Sequence, residues 1–370
     1  MESAAVPLLA ELDRLIAESG PLTFDRYMRC VLYHPQHGYY TSRVPGSGVS
    51  YATSASIGPW FGAAIARELT AMWEALGRPD PFVVTEFGAG LAGLATAAIR
   101  SAGPLANALR WRIVEQFDAI EQMQRRSLGP EAERVEWLRD LDGRPPVTGC
   151  ILANEVLDNF PFHRFEKTSS GIEEVYVGSR NGDLVEVTGP VSDPSLVAPV
   201  QDFQAKLSEG DRFEVFTGID RWCIQVGRTL ERGYLLVVDY GDEEPDIWLR
   251  GKRGTLKTYS TDGPMGTAPL ERPGHWDITA DVNFTELDRL ARGAGFEFEL
   301  LTLQRFWLAS LGLAADARQL GEEAELARAF GWASDARLLE EEQRGMMRLL
   351  DAEGLGGCLV YRASKGVKQP

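Results

Sequence analysis

The stretch 81–90, PFVVTEFGAG, restricts the fold of this chain more than any other. Phe82, Val83, Val84 and Thr85 form a short, β-branched, apolar run of the kind that becomes a strand buried on both faces. The run ends in Glu86. Gly88-Ala89-Gly90 then allows a sharp turn with no side chain beyond a methyl in the way. Residues 91–100 (LAGLATAAIR) read as a helix of small residues whose first turn directs free N–H groups over the glycines. Strand, acid, G-x-G and helix together describe a cradle for a nucleotide-like cofactor, although a glycine turn also serves as an ordinary strand-to-helix connection.

The surrounding pattern extends that unit into an α/β fold with a doubly wound sheet. Strands are expected at 111–116, 135–138, 149–154, 233–240, 296–302 and 357–363, with helices at 58–76, 117–128, 221–232, 285–295 and 314–352 between and around them. Two earlier helices, at 6–19 and at 24–33 with Thr23 as the cap of the second, precede the sheet. The segments 162–168, 173–179 and 183–189, joined by Ser-Gly and Asn181-Gly182 turns, read as a hairpin inserted after the fourth strand. The stretch 255–279 is polar and too long for a plain connector. The organisation expected is therefore a helical N-terminal cap (1–78), a sheet core (79–161 and 210–363), an inserted hairpin or lid (162–209), and a functional loop (254–283). The tail 364–370 is expected to lack structure.

Charge bounds the partners. The 370 residues carry 38 Lys and Arg against 54 Asp and Glu, a net −16, which disfavours nucleic acid and anionic membrane surfaces. The four cysteines are scattered with no C-x-x-C pair, so a reducing, cytoplasmic setting is expected. The four histidines do not make a metal set; His34 and His37 are close, but no Cys or His cluster completes four ligands.

Glu115 stands at the end of the second strand, 25 residues past Gly90, where a carboxylate accepts the two hydroxyls of a ribose. Asp140 and Leu141, beyond the third strand, stand where an adenine edge would lie. Counting Gly93, the glycines satisfy G-x-G-x-x-G, so spacing leaves a dinucleotide open beside S-adenosylmethionine. The acid before the glycines favours a cationic methionine ammonium over a pyrophosphate. The run Asn154-Glu155-Val156-Leu157-Asp158 leaves the fourth strand at the carboxyl edge. If a helical turn starts there, Glu155 and Asp158 share a face and can hold a cation or take a proton. A polar cap is the alternative, and Asn154 can instead orient a donor N–H.

With those segments laid out, the chain resembles the MidA-like family of S-adenosylmethionine-dependent methyltransferases, whose mitochondrial member is an arginine methyltransferase acting in respiratory complex I assembly. The resemblance rests on Tyr27-Met28-Arg29, Leu32-Tyr33-His34-Pro35, Gly38-Tyr39-Tyr40, Thr53-Ser54, Glu86 to Gly90, Val114-Glu115 with Gln124, Ala153-Asn154-Glu155 with Asp158, Asp239-Tyr240-Gly241, Gly254-Thr255-Leu256 and Asp277 to Ala280. It implies a class I methyltransferase-like sheet and S-adenosyl-L-methionine as donor. It further implies a donor site of Thr53, Ser54, Glu86, Gly88, Ala89, Gly90, Glu115, Gln116, Asp140, Leu141 and Asn154, with Glu155 and Asp158 toward the acceptor.

Several positions depart from the family pattern. Val49-Ser50-Tyr51 and Ala55-Ser56 stand where the family carries acids, and Leu91, Asp281 and Asn283 replace an Arg, a His and an Asp. The two acids lost from the N-terminal cap remove partners for a guanidinium, each charged hydrogen bond being worth roughly 1.5–3 kcal/mol. Tyr51, Trp60, His275, Trp276 and Trp307 suggest an aromatic-walled acceptor pocket instead, with the core as the alternative place for the tryptophans. The expectation is methyl transfer to an oxygen or nitrogen of a small-molecule or peptide acceptor in a biosynthetic pathway. A protein arginine is the alternative within the class, and a non-catalytic assembly factor or an NAD enzyme lies outside it. The reading is compatible with a homodimer.

Overall fold

The computed structural model describes residues 5–42, 53–260 and 263–367, which divide into two compact units. One comprises 52–156, 223–240 and 291–370; the other comprises 1–51, 157–222 and 241–290. The division differs from the one the sequence suggests, and it places the helix Pro59–Ala75 with the large sheet instead of in an N-terminal cap. The reason is its apolar face: Phe61, Ile65, Leu69 and Met72 share one core with Phe82 and Val84.

The sheet unit holds seven strands: β1 (Phe82–Phe87), β2 (Leu109–Val114), β3 (Val135–Leu138), β4 (Val147–Asn154), β5 (Leu230–Asp239), β6 (Glu297–Leu303) and β7 (Leu359–Lys365). Their spatial order is β3-β2-β1-β4-β5-β7-β6, parallel except for β7, which runs antiparallel to both neighbours. β1 is buried along nearly its whole length, as its unbroken apolar sequence requires of a central strand. It pairs with β2 on one side and β4 on the other, so the order reverses there and the carboxyl ends of β1, β2 and β4 open a crevice. The expected α/β class and doubly wound sheet are both present.

Sequence-based boundaries shift in places. The helix after the glycines begins at Gly93 instead of Leu91, because Ala92 is left-handed (φ 59°). The helix expected over 221–232 spans Ile219–Thr229, and Leu230 already belongs to β5. The helix expected over 314–352 is two, Leu313–Ala329 and Ala333–Leu350, interrupted where Gly331 turns left-handed. Ser364 and Lys365 extend β7, so the expected unstructured tail shortens.

In the other unit, the expected hairpin is part of a five-stranded antiparallel sheet. Leu22–Thr23 and Asp183–Gly189 both pair with Gly171–Arg180, and Phe162–Thr168 pairs with Gly171–Arg180 and Arg212–Phe216. A hairpin alone cannot bury a face. Helices Ala5–Ser19 and Phe24–Tyr33 supply the cover, packing Leu8, Leu12, Phe24 and Met28 against Phe162 and Val177. Thr23 occupies the cap position of the second helix, but its hydroxyl donates to Asp25 at 2.6 Å instead of capping the backbone. The polar stretch 255–279 is likewise not a plain loop: Lys257–Ser260 lies between Gly263–Gly266 and Asp277–Thr279 in a small sheet.

Candidate functional site

The crevice at the end of β1 is built around the glycine turn. Gly88 (φ 62°) and Gly90 (φ 52°) both take the left-handed conformation that L side chains rarely adopt. Their surroundings differ. A Cβ on Gly88 would stand 2.5 Å from Val156 Cγ2, whereas a Cβ on Gly90 would meet nothing within 4 Å. The first glycine is thus required by the protein's own packing. The second faces open space.

Three groups of side chains surround this turn. On the β2 side, Glu115 follows directly after the strand, and its own N–H donates to Leu138 O at 2.9 Å. One carboxylate oxygen accepts from the Phe117 N–H (3.0 Å), the other from Gln124 Nε2 (3.0 Å). Gln124 Nε2 also donates to Gly90 O at 3.1 Å, tying the carboxylate to the turn. Burial raises the Glu115 pKa, opposed by those N–H groups, by the Gln116 N–H and by Arg139. Each oxygen retains lone-pair capacity for a hydroxyl donor.

Beneath the turn, Glu86 is the fifth residue of β1 and almost wholly buried. The Trp111 indole N–H of β2 donates to one of its oxygens at 2.8 Å. Burial pushes its pKa up to about 7, the indole bond opposing. The sequence points to the acid but not to Trp111. A buried indole N–H needs an acceptor, and a buried carboxylate on the neighbouring strand supplies one.

On the β4 side, Asn154 is buried, and its Oδ1 has no hydrogen-bond partner. Glu155 is left-handed (φ 52°), with its N–H on Val238 O. Its Oε1 accepts from the Ser54 N–H at 2.8 Å. Burial pushes its pKa up to about 7; the Ser54 N–H opposes this and Asp239 adds to it. Ser54 is itself buried and donates to Gln304 Oε1 at 3.1 Å, while the Thr53 N–H donates to Ser56 Oγ at 2.9 Å. Asp239 accepts from the Val156 and Tyr240 N–H groups, holding the ends of β4 and β5 together. These groups reach the turn itself, since Gly88 abuts Val156 and Gly93 abuts Ala55.

Other expectations need correction. Glu155 and Asp158 do not share a helical face. The left-handed Glu155 breaks any turn, the next 3-10 turn is Leu157–Asn159, and the chain passes from one unit to the other between 156 and 157. The Trp60 ring is partly buried, filling the space over Gly58 and Gly345 and packing on the core. Trp307 is buried, with its indole on Glu68. His275 is buried with Nε2 2.8 Å from Ser260 Oγ, and Trp276 lies edge-on to it with its indole on Glu271 O at 2.5 Å. Tyr51 lies outside the described residues. Asp140 is exposed and accepts from the Asp142 N–H in its own turn, while Leu141 is buried. No group of three metal-ligating side chains occurs among the described residues.

The residues that converge fit an adenosyl methionine donor. Gly90 leaves room, Glu115 offers a fixed carboxylate for a diol, and Asn154 Oδ1 offers a buried, unpartnered acceptor. A sequence model of an S-adenosyl-L-methionine-dependent methyltransferase family matches residues 64–302, well over half of the chain. The chain belongs to that family. A Burkholderia thailandensis protein solved with S-adenosyl-homocysteine bound is 26% identical, with a TM-score of 0.89 over 100% of this chain and 94% of that one. The human protein arginine methyltransferase NDUFAF7, mitochondrial, is 28% identical over 79% of this chain and 70% of its own length. Its Drosophila melanogaster homologue is 26% identical over 80% and 72%. As a member of this methyltransferase family, the chain is an enzyme that uses S-adenosylmethionine. That donor supplies an electrophilic sulfonium methyl. The protein's contribution is to hold the donor and keep water and side chains out of the line of attack.

Proposed function

We propose that this methyltransferase transfers its methyl group to an oxygen or nitrogen of a small-molecule or peptide acceptor, as a step in a biosynthetic pathway. The observation that carries this reading is the chemistry of the turn holding the Thr53-Ser54 pair. Ala55 packs against the core, and the Ser56 hydroxyl is engaged within its own turn by Thr53. These two positions therefore offer no carboxylate to a guanidinium, where the family pattern carries one. Catalysis then rests mainly on alignment of donor and nucleophile. Glu155, which follows β4 and whose pKa burial raises to about 7, is the base this reading assigns at neutral pH.

Protein arginine is the second reading, favoured by the names of the human and fly relatives. The enzyme should be incubated with methyl-labelled S-adenosylmethionine and two acceptor pools, a fractionated small-molecule extract and a dialysed lysate. Label is expected in the small-molecule or peptide fraction. Label confined to protein, recovered as methylated arginine on amino-acid analysis, would replace the first reading with the second. Cytoplasmic location belongs to the same proposal, supported by four free cysteines, three of them buried.

A further inference from the structure

We propose that Gln124 is a positioning residue for the donor site, setting the plane of the Glu115 carboxylate and the orientation of the glycine turn together through one fully committed amide. The inference rests on the donor reading and goes beyond it. Gln124 is fully buried on the helix Asp118–Leu128, and its amide meets three different elements.

The amide orientation is fixed by its neighbours. Nε2 faces two acceptors, Gly90 O at 3.1 Å and Glu115 Oε2 at 3.0 Å. Oε1 faces a donor, the Trp137 indole N–H at 2.9 Å on β3. Turning the amide over would set oxygen against two oxygens and N–H₂ against an N–H. Only one orientation satisfies all three contacts. Trp137 is held in turn, with the Arg125 guanidinium 3.8 Å over its ring. The Phe117 N–H fixes the other Glu115 oxygen, so the carboxylate cannot rotate without losing a bond at one end. A carboxylate that must receive two vicinal hydroxyls benefits from such a fixed plane, because little further ordering is needed when the donor binds.

The nearly isosteric change Gln124→Glu tests the idea. In that variant an ionised carboxylate would direct oxygen at Gly90 O and at Glu115, whereas the protonated acid can still donate to one of them. Titration of S-adenosylhomocysteine by calorimetry should show Gln124→Glu bound at least ~30-fold more weakly than wild type at pH 8. The ratio to wild type is expected to narrow several-fold at pH 5.5. Gln124→Met, which has no donor, should weaken binding by about 10-fold, with a ratio that changes with pH less than that of Gln124→Glu. In turnover assays the loss should fall on the donor KM, with kcat changed less than about threefold.

The groups facing the amide that could contribute their own titration are Glu115, with Arg139 bonded to its carbonyl, and Arg125 and Glu121 on the same helix. All remain in each variant, but Glu115 loses in both the Gln124 bond that lowers its pKa, so Gln124→Met serves as the reference for that change. Gln124→Glu binding within about twofold of wild type at pH 8, or a ratio that changes with pH no more than that of Gln124→Met, would overturn the proposal. If Gln124→Glu is too unstable to fold, Gln124→Met decides: affinity within about twofold of wild type overturns the proposal, and a loss of about 10-fold supports it. Failure of the donor reading is a different result, because then wild type itself would not bind.

Discussion

Gly90→Val is expected to leave a folded protein that no longer binds S-adenosylhomocysteine, while Gly88→Val is expected to damage the fold itself. The same side chain added two residues apart meets different surroundings. At Gly90 its Cβ finds no atom within 4 Å beyond the adjoining residues, so the cost to the unliganded fold is that of a left-handed β-branched residue, about 1–2 kcal/mol. The space it enters is the space assigned to the donor, and affinity should fall by more than about 100-fold, on the order of 3 kcal/mol. At Gly88 the Cβ arrives 2.5 Å from Val156 Cγ2, and overpacking adds to the backbone cost. A loss of about 2–5 kcal/mol of stability is expected there. Denaturant unfolding and calorimetric titration on both variants separate the effects. A Gly90→Val protein that binds within a few-fold of wild type would mean that the donor does not lie over this turn.

The elements that place this turn are largely legible in the sequence, because each rests on a local rule. β1 is an unbroken apolar run, the glycines mark the bend, and Asn181-Gly182 turns left-handed between Gly171–Arg180 and Asp183–Gly189 as the hairpin rule requires. The units are not legible. Arg212–Phe216 and Leu22–Thr23 become strands only because a distant partner accepts their edges, and nothing local in RFEVF or LT alone distinguishes such a strand from a loop.

Site residues divide along the same line. Glu86, Gly88, Gly90, Glu115 and Asn154 are marked by their position relative to strand ends, and the structure sets them at the carboxyl ends of three neighbouring strands. Trp60, His275 and Trp276 point to an acceptor by residue type alone. What packs on them decides where they sit: His275 is buried, and the partly buried Trp60 ring lies over two glycine faces. Gln124 falls between these cases. It stands out as part of a pattern, but its role needs the β3 indole and the Gly90 carbonyl, which come together only in three dimensions.

Glu86→Gln should make the unliganded protein more stable at pH 8 and bind its donor less well. The buried carboxyl holds its proton up to about pH 7, whereas in the unfolded chain it ionises near 4.5. The folded state therefore binds the extra proton across that window. Stability present below pH 4.5 is lost as pH rises through about 7, an effect of about 3 kcal/mol by the time both states are ionised. Gln keeps an oxygen for the Trp111 indole and carries no charge, so the penalty disappears from the variant. At pH 8 the variant should be the more stable by up to about 3 kcal/mol, and near pH 4.5 the two should differ by less than about 1 kcal/mol. Glu155 rises to a similar pKa but is present in both proteins, so the difference reports Glu86 alone. The opposing effect appears in binding. A carboxylate beneath the glycine turn suits the ammonium of a methionine donor, and replacing it should weaken S-adenosylmethionine by roughly 10-fold or more at pH 8. Equal or lower stability of Glu86→Gln at pH 8 would show that the carboxylate is better solvated or paired than its burial implies. Undiminished affinity would place the ammonium elsewhere in the crevice.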